Sequence, residues 1–211
     1  MARSSDPRLL VLLGLRLKGA ADTVALAEHA DLPVVEIEHQ LATLSDEGLV
    51  VERSAAPVGW ALTRSGREVA ARAVATEVDA TGARPAVAAA YERFQALNAT
   101  ALETCSRWQV REVEGRPVLN DHADPDYDAE VIDDLTQLQD DADPVLDDLS
   151  DTLARFSTYA PRLRRAVRKV EAGEGDWFTK PSLPSYHTVW FELHEDLLAT
   201  LGLDRTAEAV P

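Results

Sequence analysis

Chemistry-bearing residues gather in three places along the chain. One is the segment Tyr186-His187-Thr188-Val189-Trp190-Phe191-Glu192-Leu193-His194-Glu195-Asp196, dense in large and titratable side chains. On a helix His187 and His194 share a face but stand two turns apart, about 10 Å, which is too far for one metal ion. Trp190 and Phe191 follow His187 at the i+3 and i+4 positions, and neither can ligate. His194 therefore needs a ligand from another helix, such as His122 with Asp121. Three readings stay open. Trp177, Phe178, Tyr186, Trp190 and Phe191 form bundle core with the histidines at its edge. Alternatively Trp177, Tyr186, His187, Trp190 and His194 line a pocket for an apolar or aromatic effector. The third reading is a metal-dependent hydrolase on His122, His187 and His194.

A second place is acidic. Asp121 to Asp151 holds 13 Asp/Glu and no Lys or Arg. Asp124-Pro125-Asp126-Tyr127-Asp128 has the alternate carboxylates of a calcium loop, but that loop needs Gly sixth and Glu twelfth, where Ala129 and Leu135 stand. The segment reads as a solvated helix face with N-caps, or as a surface for a basic partner such as the Arg162–Lys169 face of the same or a second protomer.

The third place, Pro33 to Glu47, contains Val34, Val35, Glu36, Glu38, His39 and Thr43 around the apolar positions Ile37, Leu41 and Leu44. Spacings of four and three put those apolar residues on one helix face and turn the others outward. No Lys or Arg lies in this stretch. Elsewhere no nucleophile elbow, P-loop or dinucleotide fingerprint occurs, and Gly173-Glu174-Gly175 lacks the Gly-Lys-Ser/Thr that a P-loop needs. The expectation is a non-enzyme without a resident metal or cofactor.

The elements that must position these residues follow from caps and breakers. Asp6-Pro7 starts a helix over 8–18, and Asp22-Thr23 caps a short one over 24–29. Asp31-Leu32-Pro33 turns into the third, which Gly48 ends. Residues 49–53 and 60–62 read as strands about a turn over 54–59, and Thr63 caps a helix to about Val78. Thr81-Gly82-Ala83-Arg84-Pro85 is the boundary between a domain over 1–80 and a second over 85–205. Beyond it, helices are expected over 86–108 (with Tyr91, Phe94, Leu97 and Leu102 along it), 128–139, from Asp143-Pro144 onward, 161–170, and from about 185 to 201. A hairpin over 109–113 and 116–119 about Glu114-Gly115 is a further option. The fold class is mostly α, with three helices plus a β-hairpin wing followed by an antiparallel helical bundle.

Leu41-x-x-Leu44-x-x-x-Gly48-Leu49-Val50, a wing, then Trp60-x-Leu62-Thr63-x-x-Gly66 resembles the MarR-like winged helix-turn-helix regulators of bacteria, over about residues 8–78. The resemblance implies a DNA-binding transcription regulator. Its third helix would enter the major groove through Val35, Glu36, Glu38, His39 and Thr43, while Arg53 on the wing and Arg64 and Arg67 after it would touch phosphate. DNA, a second copy in a homodimer and a small-molecule effector are the implied partners. A protein-docking winged helix that does not bind DNA is the alternative.

Charge bears on that choice. The 211 residues carry a formal charge of −16. Residues 1–84 hold 9 Lys/Arg against 12 Asp/Glu, and residues 85–211 hold 12 against 25. A strongly negative second half opposes approach to a polyphosphate, so DNA contact must come locally from the first half. With 18 Arg to 3 Lys and abundant Ala, the composition points to a GC-rich bacterial genome. A lone Cys105, and an apolar run over 9–15 too short to span a bilayer, fit a cytoplasmic protein with no membrane partner.

Overall fold

The computed structural model describes residues 3–55 and 57–203. Ala56 of the expected turn, residues 1–2 of the expected first domain and residues 204–205 of the second lie outside the described residues. The chain is mostly helical, with a winged helix at its start and helical packing after it. Two compact units emerge. One comprises the described residues of Met1–Ala88, Leu149–Thr158 and Glu192–Pro211, the other Ala89–Asp148 and Tyr159–Phe191. No helix among the described residues is long and apolar enough to cross a membrane.

In the first unit, α1 (Pro7–Lys18) begins where the Asp6 carboxylate accepts from the Arg8 N–H at 2.8 Å and Pro7 needs no intrahelical donor. Every residue from Leu9 to Leu15 is buried, because the helices over 23–30, 34–46 and 64–81 and the strand over 59–62 pack around α1. A helix apolar on all sides fits only such a central position. α2 (Thr23–Ala30) is capped by Asp22, which accepts from Ala25 N–H at 2.8 Å. α3 (Val34–Asp46) buries Ile37, Leu41 and Leu44 as the spacing predicts. Gly48, at φ +70°, turns the chain into the hairpin.

The wing strands β1 (Val50–Arg53) and β2 (Gly59–Leu62) pair antiparallel, Val50 opposite Leu62. Ala21 adds a third rung by exchanging backbone hydrogen bonds with Trp60 at 3.0 and 2.8 Å. α4 (Arg64–Thr81) starts at Thr63, whose hydroxyl oxygen accepts from Gly66 N–H at 3.0 Å. A Cβ on Gly66 would stand 2.0 Å from the Leu49 carbonyl oxygen, so only glycine lets α4 lie against the strand entry. The later segments of this unit add a buried guanidinium. Arg155, in a 3-10 turn over Ala154–Thr158, donates to Glu77 of α4 at 2.9 Å, to Thr200 at 2.6 Å and to Asp196. Burial opposes that charge, but Asp196 and Glu77 outweigh the penalty and hold the guanidinium above its usual pKa.

Next come α5 (Arg84–Gln109), the hairpin β3 (Val110–Val113) and β4 (Arg116–Leu119), α6 (Pro125–Thr152), α7 (Tyr159–Glu171), the short α8 (Asp176–Thr179) and α9 (Tyr186–Leu201). Two expectations need correction here. The helices expected over 128–139 and from Asp143-Pro144 are one continuous α6, with Pro144 inside it. An unbroken buried stripe of Val131, Leu135, Leu138, Ala142, Val145, Leu146 and Leu149 keeps the helix going and outweighs the single N–H that proline removes. Leu102, expected along the apolar face of α5, is 54% exposed. The stripe of α5 in the second unit runs instead through Ala90, Tyr91, Phe94, Ala101, Cys105 and Trp108.

The acidic stretch meets arginines of its own unit. Arg107 pairs with Glu130 at 2.9 Å and with Asp134, Arg111 with Asp121 and Asp124 at 3.5 and 3.3 Å, Arg164 with Asp143 at 2.9 Å, and Arg93 with Asp148. These carboxylates are largely solvated, so each pair contributes little by itself.

Gly66→Ala should therefore lower stability by about 2–3 kcal/mol through the clash with the strand backbone, read as a lower urea midpoint at unchanged slope. Asp196→Ala, which leaves the Arg155 charge buried beside a lost partner, should cost about 3–5 kcal/mol in the same assay. Burial pushes the Cys105 thiol from its usual 9.0 up to about 12. Native protein at pH 8 should thus leave Ellman's reagent unreacted over minutes, and one thiol should appear once denaturant is added.

Candidate functional site

Packing α3 through Ile37, Leu41 and Leu44 leaves its opposite face in solvent. Val35 is 71% exposed, and Glu38, His39 and Thr43 are exposed as well, while Glu36 is half-buried. Not every one of these side chains is free to reach a partner. Glu36 accepts from the Gln40 side-chain amide at 2.9 Å, and the Thr43 hydroxyl donates to the His39 carbonyl at 3.1 Å. Just beyond the end of α3, Glu47 is held by two guanidinium nitrogens of Arg8 at 2.7 and 2.5 Å, which draws its carboxyl below the usual range. α3 itself carries no cation.

The cations nearest in sequence sit on the wing and after it. Arg53 is exposed at the end of β1, opposite Gly59. Arg64 opens α4 with its side chain 92% exposed, 3.6 Å from Glu68. Arg67 is anchored by donating to the Leu62 carbonyl at 3.1 Å. This surface thus offers carboxylate, imidazole and hydroxyl groups on the helix and guanidinium groups beside it. The former can read base edges and the latter can meet phosphates.

The five aromatic and histidine residues expected to line one pocket do not come together. Tyr186 and Trp190, one turn apart on α9, stack at 5.8 Å, and Trp190 stacks on Phe94 at 4.7 Å with its indole N–H donated to Asn98 at 3.0 Å. Both are core. Burial pushes the Tyr186 phenol well above its usual pKa. His187 is half-buried, and His194 is buried in the first unit rather than the second. Trp177 lines a cleft of the second unit whose lining includes none of the other four. Asp121, named with His122 as a possible co-ligand of His194, is turned toward Arg111 at 3.5 Å. Among the described residues no three His, Cys, Asp or Glu side chains are placed to hold one metal ion.

The second unit does contain an open cleft of about 1110 Å³. Its apolar wall is Trp108, Leu119, Ile132, Val170, Trp177 and Leu183. His122 and Asp128 supply polar lining, His122 Nδ1 lying 3.0 Å from Asp128 Oδ2. Asn120 fixes the pair. Its amide donates to Asp128 Oδ1 at 2.8 Å and to the Trp108 carbonyl at 3.2 Å, and its oxygen accepts from His122 N–H at 3.2 Å. His122 sits at φ +57°, a conformation uncommon outside glycine, and its ring packs 4.4 Å from Trp108. Sequence reasoning considered His122 only as a metal ligand and passed over Trp108, Asn120 and Asp128 as a group. The available signal was Asn120-x-His122 after a hairpin with Asp128 six residues on. Comparison with family models, with curated proteins and with solved structures gives no match, so both surfaces stand on the geometry of this chain.

Proposed function

We propose that the chain is a DNA-binding transcription regulator of the MarR-like winged-helix kind, acting in the cytoplasm as a homodimer, with an effector-binding second unit. The observation that carries this reading is the pairing of an α3 face left wholly outside the core with guanidinium groups on the wing and at the start of α4. In such a docking α3 enters the major groove, Glu38 accepts from a cytosine amino group, and His39 reaches a neighbouring base edge. Arg53, Arg64 and Arg67 meet the backbone. A dimer repeats the contact about one helical turn, 34–36 Å, away.

A second reading, protein docking without DNA, is favoured by a different observation. Val24, Val35 and Val58 are 65%, 71% and 67% exposed, and exposed apolar side chains beside a cation-free helix face suit a protein partner better than a phosphate backbone.

Fluorescence polarisation with DNA from upstream of the chain's own gene separates the two. The regulator reading expects affinity for that DNA at least about a thousandfold above random DNA at physiological salt. Arg64→Ala should weaken binding to both and reduce the slope of log affinity against log salt by about 1. Equal affinity for upstream and random DNA across the salt series overturns the regulator reading.

A further inference from the structure

The cleft of the second unit has a polar group whose bonding is unfinished. One oxygen of the Asp128 side chain accepts from Asn120, and the other lies 3.0 Å from His122 Nδ1, a contact in which a carboxylate oxygen accepts and the ring nitrogen donates. Asn120 also approaches His122 Nδ1, at 3.2 Å. Both of its amide hydrogens are taken by Asp128 and by the Trp108 carbonyl, so the Nδ1 proton belongs to the carboxylate contact. The neutral ring is therefore the Nδ1–H tautomer, and Nε2 is left as an acceptor. No side chain among the described residues bonds Nε2, although 42% of the His122 side chain is open to solvent.

The other charges at the cleft are internally compensated. Glu174 pairs with Lys169 at 2.8 Å and Asp176 with Lys180 at 2.6 Å. Lys169 and Arg165 lie over the Trp177 ring at 5.7 and 5.2 Å. A charged ligand thus finds no unpaired counter-charge among the described residues that line the cleft. The apolar wall is aromatic and aliphatic, and the volume is slightly above the roughly 300–1,000 Å³ typical of small-molecule sites.

From this we infer that the cleft binds a neutral, planar aromatic molecule carrying an N–H or O–H donor, which meets His122 Nε2 while the ring lies against the apolar wall at Trp177 and Leu119. Asp128 and Asn120 are positioning residues, since they act by fixing the tautomer and tilt of His122. This inference does not depend on DNA binding. A ligand can fill the cleft whether or not α3 meets DNA, so the two readings fail separately.

Calorimetry on the full chain with three bicyclic probes tests it. Indole has a donor and no acceptor, 1-methylindole lacks the donor, and quinoline has an acceptor only. Indole should bind at least about fivefold more tightly than either of the others, the worth of one hydrogen bond. Asp128→Asn keeps the size of the side chain, and its oxygen should stay toward Asn120. Its amide then donates to His122 Nδ1 and moves the ring proton to Nε2, on the logic known for histidine–carboxylate pairs. That variant should lose the preference for indole and favour quinoline. His122→Asn, which tolerates the same backbone conformation, should bind indole and 1-methylindole equally. Failure of indole to bind, equal binding of the probes by the unaltered chain, or an indole preference that persists in folded Asp128→Asn overturns the inference. Circular dichroism identifies any variant that fails to fold, and the comparison of the three probes on the unaltered chain stands without the variants.

Discussion

The first unit depends on one buried positive charge. The side chains of Arg155 and Asp196 are each 2% exposed, and isolated charges in such a place would cost many kcal/mol. The cost is offset because every direction the guanidinium faces is occupied. Glu77 lies on the helix that follows the wing, and Asp196 and Thr200 lie a turn apart on α9. The Thr200 hydroxyl also donates to the Asp196 backbone carbonyl at 2.7 Å, which holds it where Arg155 needs an acceptor. Apolar packing alone tolerates sliding. A planar fork with fixed partners does not, and it sets how α4, the 3-10 turn and the last helix meet. A second polar cluster acts in the same way nearer the helix-turn-helix, where Glu192 pairs with Lys18 at the end of α1 and lies 3.9 Å from His29 on α2. Both clusters join residues more than 70 positions apart in the chain.

With the framework held from behind, α3 is free to carry any exterior. Its three buried residues satisfy the fold, and nothing in the core constrains Val35, Glu38 or His39. That independence is why a winged helix says less about function than about shape. The outer face then has a definite electrostatic consequence. Affinity for phosphate scales with the number of cations that reach the backbone, and here they lie on the wing and at the start of α4 rather than on the helix itself. Under the proposed DNA binding the sequence-independent contribution would be weak and discrimination would rest on base-edge contacts, whereas under protein docking the exposed valines would carry the contact.

How much of this could be read in the chain differs by element. The first eighty residues were legible because their stops and starts are chemical. Asp6-Pro7, Asp22, Gly48 and Thr63 each do one local job, and the structure finds them at the expected boundaries. The reading went wrong at Pro144, where local rules demand a break and a seven-residue apolar stripe overrides them. At the C-terminal aromatics the sequence left core and pocket both open, and Tyr186 and Trp190, one turn apart on a helix buried on most of its faces, are core together. Neither Arg155 nor the cleft was visible, since each is assembled from segments that only the tertiary fold brings together.

The cleft also explains two residues that look unfavourable in isolation. Gly175 sits where a Cβ would approach the Trp108 ring to 3.0 Å, so its missing side chain makes room for that ring, whose other neighbours are Phe178 at 4.6 Å and His122 at 4.4 Å. His122 adopts a left-handed backbone that most side chains resist, and Asn120 accepts its N–H while also gripping Asp128. A strained residue persists only where its surroundings over-determine it. Here the surroundings are an aromatic ring on one side and a fully engaged amide and carboxylate on the other. Such a polar network would be an expensive way to stabilise an exposed loop, because each of its bonds contributes little where water competes. Its physical effect lies elsewhere: it holds the imidazole of His122 at a fixed angle in the lining of the cleft.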